Sequence, residues 1–291
     1  MLNPLFEAVL REKDPMYDCA VITEKGTEYW KYPDCNYANN SHSVTKLFVC
    51  TAVGILSEQG KINIKDSVTS FFDASELPAG MDSRWHSVTV EQTMQHKTGM
   101  DTIPYNVDND DDLEKIGPDF LKYVFSLPIE HEPGTYRRYS DEAFYLLIRI
   151  ISKAAGENAE EFFRKNLMGP LGFRQWSMAK CPKGYPIGGG GFYCRSDDAA
   201  KLGFTYAMGG VFEGKRIISE QWVKDAMALD YACTRHRDSS VFVKTGAKGQ
   251  MVAFSVEKKV AAAWHGCSDK DGNERNNRLL DGFLAYIDAM D

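Results

Sequence analysis

This chain of 291 residues has no surplus of basic charge: 34 lysines and arginines face 41 aspartates and glutamates, a net charge of -7. With no basic cluster to offset that balance, the electrostatic footprint of a nucleic-acid binder is missing. No apolar run approaches the roughly 20 residues that a membrane-spanning helix needs. The opening MLNPLFEAVLREKDPMYD has no basic stretch followed by an apolar core; it reads as a short amphipathic helix without an export signal. Cysteine is scattered, at positions 19, 35, 50, 181, 194, 233 and 267, odd in number and never spaced C-x-x-C. A disulfide framework is therefore not expected, and free thiols in a reducing, cytoplasmic compartment are. The histidines show no ligand spacing, so neither a metal nor a cofactor is implied. There is no internal repeat and no low-complexity segment.

What is present is an ordinary globular composition, 43% hydrophobic and 26% charged, in a chain long enough for a sizeable core. Aspartates crowd at Asp108, Asp110, Asp111 and Asp112 in a register that resembles a calcium loop. Leu113 occupies the glycine position of such a loop and Asp119 its glutamate position, so the segment reads as a solvated loop leading into a helix.

Cys19 to Tyr32 reads as a hairpin, two β-prone runs around a Glu-Lys-Gly-Thr turn. An apolar helix comes next and stops at Gly60, a good residue just past a helix end. TVEQTMQHKTGM predicts a short helix capped at Thr89 and ended by Gly99. Further helices are predicted in DLEKIGPDFLKYVFSLP, in SDEAFYLLIRIISKAAGEN up to Gly156, and in NAEEFFRKNLMGPLGF up to Gly169. The glycine run in YPIGGGGFYCRSDDAAKLGF lacks a preceding parallel strand, which argues against a dinucleotide site. SSVFVKTG, QMVAFSVE and KVAAAWHG alternate as three antiparallel strands, and NNRLLDGFLAYIDAM closes the chain as an amphipathic helix. Strands at both ends and helices between them predict an α/β (α+β) fold: an antiparallel sheet flanked by terminal helices, with an inserted all-helical region. The expected division is residues 1–60 and 186–291 for the sheet domain and 61–185 for the helical one.

The chemistry starts at Ser43 and Lys46. Positions i and i+3 share a helix face, and Leu47 to Leu56 is apolar nearly all round, the mark of a buried helix. A lone ammonium near such a core is costly; burial would lower its pKa and bring the neutral amine within reach. An amine beside a hydroxyl is a general base beside a nucleophile, with the helix N-terminus favouring a nearby oxyanion. Downstream, EPGTYRRYSDEAFYLL sets Tyr139 and Asp141 just before a buried helix. VFVKTGAKGQ ends a predicted strand on Lys244, Thr245 and Gly246. A second K-T-G, at Lys97, Thr98 and Gly99, falls at a predicted helix end, where the glycine is explained as a cap.

The order serine-x-x-lysine, tyrosine-x-polar, K-T-G resembles the penicillin-recognising serine hydrolases, in their class C β-lactamase, D,D-peptidase and family VIII esterase branch. The likeness runs through nearly the whole chain. SVTKLFVCTAVGILSEQGKINIKDSV is similar to the family's nucleophile helix and the G-K segment after it, MGPLGF to its P-L-G-M, and IGGGGFYCRSDDAAKLGF to its glycine-rich segment. The resemblance implies a β-lactamase-like fold with Ser43 as nucleophile, and Lys46 and Tyr139 sharing its deprotonation and the protonation of the leaving group. It implies an oxyanion hole from the N–H groups of Ser43 and Ala247. Lys244, Thr245, Gly246 and Asp141 would contact substrate. A phenol serves as base only if neighbouring ammonium groups lower its pKa.

Asp141 stands where most relatives carry asparagine. A carboxylate accepts but does not donate, so it could hold Lys46 charged, shift the base role to Tyr139, and remove a donor to a substrate amide. The expected function is a serine hydrolase acting through an acyl-serine on a small ester, amide or D-amino-acid or peptide substrate. A true β-lactamase or D,D-peptidase is the alternative within the family. A non-hydrolytic ligand-binding or sensor protein on the same fold is the alternative outside it. The only partner expected is a small-molecule substrate, with no nucleic acid and no membrane. His42 could line the mouth; His96, Arg137, Arg138, Trp264 and His265 read as packing or surface residues.

Overall fold

The computed structural model describes residues 3–101, 116–268 and 272–290. The aspartates Asp108, Asp110, Asp111 and Asp112, with Leu113, lie outside the described residues. The predicted hairpin forms from Met16–Thr23 (β1) and Gly26–Lys31 (β2), paired antiparallel around Glu24 and Lys25. Asn39–Asn40 (β3), Trp176–Met178 (β4) and Phe192–Cys194 (β5) make a small second sheet in the order β3-β5-β4. Val211–Phe212 (β6) and Lys215–Arg216 (β7) form a short ribbon. Thr234–Arg235 (β8), Val241–Gly246 (β9), Gln250–Ser255 (β10) and Val260–Gly266 (β11) complete the main sheet. It is antiparallel throughout and ordered β2-β1-β11-β10-β9-β8.

The helices are Pro4–Arg11 (α1), Thr45–Glu58 (α2), Val90–Met94 (α3), Phe120–Ser126 (α4), Asp141–Ala155 (α5), Ala159–Phe163 (α6), Ser196–Ala207 (α7), Glu220–Leu229 (α8) and Asn273–Asp288 (α9). Successive side chains of a strand point to opposite faces, and in β11 that alternation divides two cores. Ala261 and Ala263 join the central core with α2, α5 and α7. Val260, Ala262 and Trp264 join an outer core with Leu5 and Val9 of α1 and Leu279 and Phe283 of α9. A strand buried on both faces must be apolar along its length, which VAAAWHG is. The expected β-lactamase-like architecture is thus present: an antiparallel sheet, terminal helices on its outer face, and a helical region inserted between its strands.

Two local expectations are corrected. The helix read over TVEQTMQHKTGM lasts only from Val90 to Met94, opened by a capping box between Thr89 and Gln92. It stops because His96 turns to φ 59, a conformation that no helix can propagate. Gly99 is therefore not a helix cap. Its φ is 94, and an added Cβ would stand 2.3 Å from the His131 carbonyl oxygen, so glycine is required by close backbone approach. At the other end of the chain, α9 begins three residues before the predicted Asn276, at Asn273. Among the described residues no helix is long and apolar enough to cross a membrane. All seven cysteines are free thiols.

Candidate active site

Ser43 is presented by a single 3-10 turn, His42–Val44, between β3 and α2. It therefore stands just before the long helix rather than in its first turn, though its three-residue spacing to Lys46 still brings the two together. His42 has φ 47, and its N–H donates to Asn40 Oδ1 at 2.8 Å. Its side chain is buried instead of lining an open mouth. The turn leads into α2, whose residues from Thr45 to Leu56 are all buried.

Lys46 has no exposed surface. Its Nζ donates to Ser43 Oγ at 3.1 Å, to Asp141 Oδ1 at 2.5 Å and to the Gly189 carbonyl at 2.5 Å. An ammonium has three N–H donors and no lone pair, so three acceptors match the charged form. Burial pulls the lysine pKa down, but Asp141 and Tyr139 together outweigh it and raise the pKa above the usual value. Of the two readings the sequence offers for this amine, neutral by burial or charged beside Asp141, the pairing with Asp141 favours the charged one.

Gly189 belongs to the glycine run left without a role in the sequence. An added Cβ there would stand 2.7 Å from Asp141 Cβ, and one at Gly188 would stand 2.7 Å from the Phe144 carbonyl oxygen. The glycines let this segment close onto the start of α5 and bring a backbone acceptor to Lys46. The signal was the run itself; its partner could not be read from sequence.

Tyr139 lies across from the same lysine, with Lys46 Nζ 4.7 Å and Lys244 Nζ 5.3 Å from its ring centroid. Burial pushes the phenol up. The Lys46 and Lys244 charges, with hydrogen bonds to Ser43 and Lys46, prevail and bring it below the usual phenol value. Burial likewise lowers Lys244; Tyr139 opposes that shift and Lys46 adds to it. His96, set aside as packing, stacks on Tyr139 at 4.5 Å and lies tilted against Phe144 at 5.0 Å. Its Nδ1 accepts the Ser140 N–H at 3.2 Å, and burial with the nearby cations holds the ring neutral.

The K-T-G at the end of β9 lies against the Ser43 turn. A Cβ on Gly246 would stand 2.5 Å from the Ser41 carbonyl oxygen and 3.3 Å from His42 Cβ. β9 is not the outermost strand, because β8 pairs with Phe242 and Val243. That pairing stops short of Lys244, so the site end of β9 keeps the character of an edge. Thr245 and Ala247 are exposed there. Beside them a recess of about 170 Å³ is lined by Lys244, Thr245, His96, Arg137 and Asp230 among others. Arg137 and Asp230 pair across it at 3.2 Å. Ser43 and Lys46, Tyr139 and Asp141, and the stretch Lys244, Thr245, Gly246 and Ala247 are thus brought together from three separate segments. Together they offer a nucleophile, an acidified phenol, fixed positive charge and an open strand end.

Residues 40–282 match the family model described as Beta-lactamase. Among curated proteins, the chain is 24% identical over 202 residues to the 6-aminohexanoate-dimer hydrolase of Paenarthrobacter ureafaciens, covering 64% of this chain and 50% of that protein. It spans between about a third and a half of the length of the curated relatives it matches. Among solved structures, it resembles a penicillin-binding protein homologue from Caulobacter crescentus with a TM-score of 0.76 at 15% identity, covering 97% of this chain and 96% of that one. A family VIII carboxylesterase matches with a TM-score of 0.75 at 15% identity, covering 97% and 95%.

Proposed function

The chain belongs to the beta-lactamase family, and from that premise we propose that it is a serine hydrolase that works through an acyl-enzyme on Ser43. The observation that carries this reading is the Ser43 hydroxyl held between the Lys46 ammonium, 3.1 Å away, and a Tyr139 phenol made acidic by two lysines. Lys46 donates to Ser43 Oγ, which leaves the serine proton directed to Tyr139. Tyr139, as phenolate, takes that proton as Oγ bonds to the substrate carbonyl carbon. The carbonyl oxygen becomes an oxyanion and accepts the N–H groups of Ser43 and Ala247. When the tetrahedral centre collapses, the bond to the leaving group breaks and the Tyr139 proton follows it out. Water, deprotonated by the same phenolate, then adds to the acyl carbon; the bond to Ser43 Oγ breaks, and the proton held by Tyr139 returns to Ser43, which restores the phenolate. Lys46 stays an ammonium throughout and supplies charge and position.

The substrate class is a small ester, amide, or D-amino-acid amide or peptide. The small polar recess beside Lys244 supports a compact substrate, and likeness to a dimer hydrolase and a carboxylesterase supports the ester and amide range. Asp141 cannot donate to a substrate amide as asparagine would, which disfavours penicillin-type side chains.

The test is hydrolysis of p-nitrophenyl butyrate by the wild type and by Ser43→Ala, with nitrocefin in parallel. Turnover by the wild type alone is expected, with the ester preferred. Equal inertness of both proteins on both substrates returns the chain to a ligand-binding role on this fold.

A further inference from the structure

A second serine is enclosed two residues before Ser43. Ser41 has no exposed surface, and Asp18 and His265 beside it are equally buried. Ser41 Oγ lies 3.0 Å from His265 Nε2 and 3.3 Å from Cys194 Sγ. His265 Nδ1 lies 2.9 Å from Asp18 Oδ1. The other carboxylate oxygen accepts the Ser196 N–H at 2.7 Å, at the start of α7, and the Tyr29 hydroxyl at 3.4 Å. The chemistry orders the protons. A carboxylate only accepts, so Nδ1 carries its proton towards Asp18. Ser41 Oγ is thereby hydrogen-bonded to His265 Nε2 on one side and to Cys194 Sγ on the other. Serine, histidine and aspartate stand here in the order of a hydrolytic triad. No substrate reaches Ser41, however, so the arrangement can act only on its surroundings.

Those surroundings are the nucleophile turn. The Ser41 carbonyl accepts the Val44 N–H at 3.0 Å and closes the turn around Ser43, while the Ser41 N–H donates to the Phe192 carbonyl at 2.8 Å. The next residue, His42, is held at φ 47, which a residue with a side chain keeps only when its environment insists. The same Ser41 carbonyl faces Gly246, next to Ala247. Ser41 is therefore the joint between the Ser43 turn and the K-T-G strand, and its side chain is bolted to β1 and β11 through His265 and Asp18.

We propose that Asp18 and His265 are positioning residues for the nucleophile, locking through Ser41 the turn that aims Ser43 Oγ at Tyr139 and Lys46. The inference rests on the reading of Ser43 as nucleophile. Ser41→Ala cuts the link while leaving the Asp18–His265 pair in place, and Asp18→Asn, nearly isosteric, removes the charge that orients the ring. Thr51→Val is the stability control, since it deletes a buried hydroxyl bonded to Tyr206 further along the same helix.

Each protein is assayed well below its own Tm for fluorophosphonate labelling rate and for kcat and KM on p-nitrophenyl butyrate. Ser41→Ala and Asp18→Asn are expected to label and turn over about tenfold or more slowly with KM little changed, and Thr51→Val to lose Tm but not rate. Wild-type labelling rates in Ser41→Ala and Asp18→Asn, with lowered Tm, overturn the positioning role and leave the nucleophile reading intact. If Ser43→Ala labels as fast as the wild type, or the wild type does not label, the nucleophile reading fails and this inference with it.

Discussion

Lys46 and Asp141 form a buried ion pair, Nζ to Oδ1 2.5 Å, with none of the lysine side chain and 11% of the aspartate side chain exposed. In the proposed mechanism this pair decides which of two candidate bases is free to act. A lysine paired in this way as an ammonium does not take the serine proton, so the proposed mechanism gives that task to Tyr139.

Asp141→Asn keeps an acceptor for Lys46 and adds a donor towards substrate. Activity on amide-bearing substrates is expected to hold or rise. Asp141→Ala instead strands a buried ammonium, and breaking such a pair destabilises by about 3–5 kcal/mol, readable by urea denaturation. Complete loss of activity in the asparagine variant would show that the carboxylate itself takes part in the chemistry.

On the proposed mechanism the pH profile of kcat/KM should be bell-shaped. That mechanism makes the Tyr139 phenolate the active form, so activity should rise as pH passes through a phenol pKa below the usual value of about 10. It falls again as Lys244, also lowered, loses its proton. Lys244→Ala removes a positive charge from the phenolate and should move the rising limb to higher pH, while Lys244→Arg should not. Tyr139→Phe is expected to remove about 10²–10⁴-fold of the rate. A rising limb that survives in Tyr139→Phe would assign it to another group.

Gly246→Ala places a Cβ 2.5 Å from the Ser41 carbonyl oxygen. Backbone meets backbone there, so either the strand end or the nucleophile turn must move. A loss of about tenfold or more in kcat is expected. Unchanged steady-state kinetics in a folded variant would mean that the strand end can retreat without disturbing Ser43.

Neutral His96 links stability to acid. Its pKa in the folded chain is well below the ordinary value, so below about pH 6.5 the unfolded chain binds the extra proton and the folded chain does not. Stability from this group is present above that pH and is lost as pH falls towards the folded pKa. His96→Gln should flatten the fall in Tm between neutral and mildly acid pH, and a slope unchanged from wild type would assign the acid sensitivity elsewhere.

Much of this architecture is readable because it is written in short spacings. Short β-prone apolar runs between turns mark β1, β9, β10 and β11, and glycine at φ 69 ends α2 at Gly60 as expected. The three-residue interval brings Ser43 and Lys46 together even though the serine lies in a separate turn. The α3 boundary is not legible, because nothing local announces that His96 will leave the helix; its ring contacts, with Tyr139 and Phe144, are to residues more than 40 positions away.

Local pattern thus reaches the identity of the elements and the partners at i and i+3, because both depend on neighbours along the chain. The charge state of Lys46 depends on Asp141, 95 residues away, and on a glycine carbonyl 143 residues away. The contacts behind the Ser43 turn, Ser41 to His265 and His265 to Asp18, join residues 224 and 247 apart. No spacing encodes such contacts, and burial gives them their strength, since removing water makes each acceptor supplied or withheld decide where a proton resides.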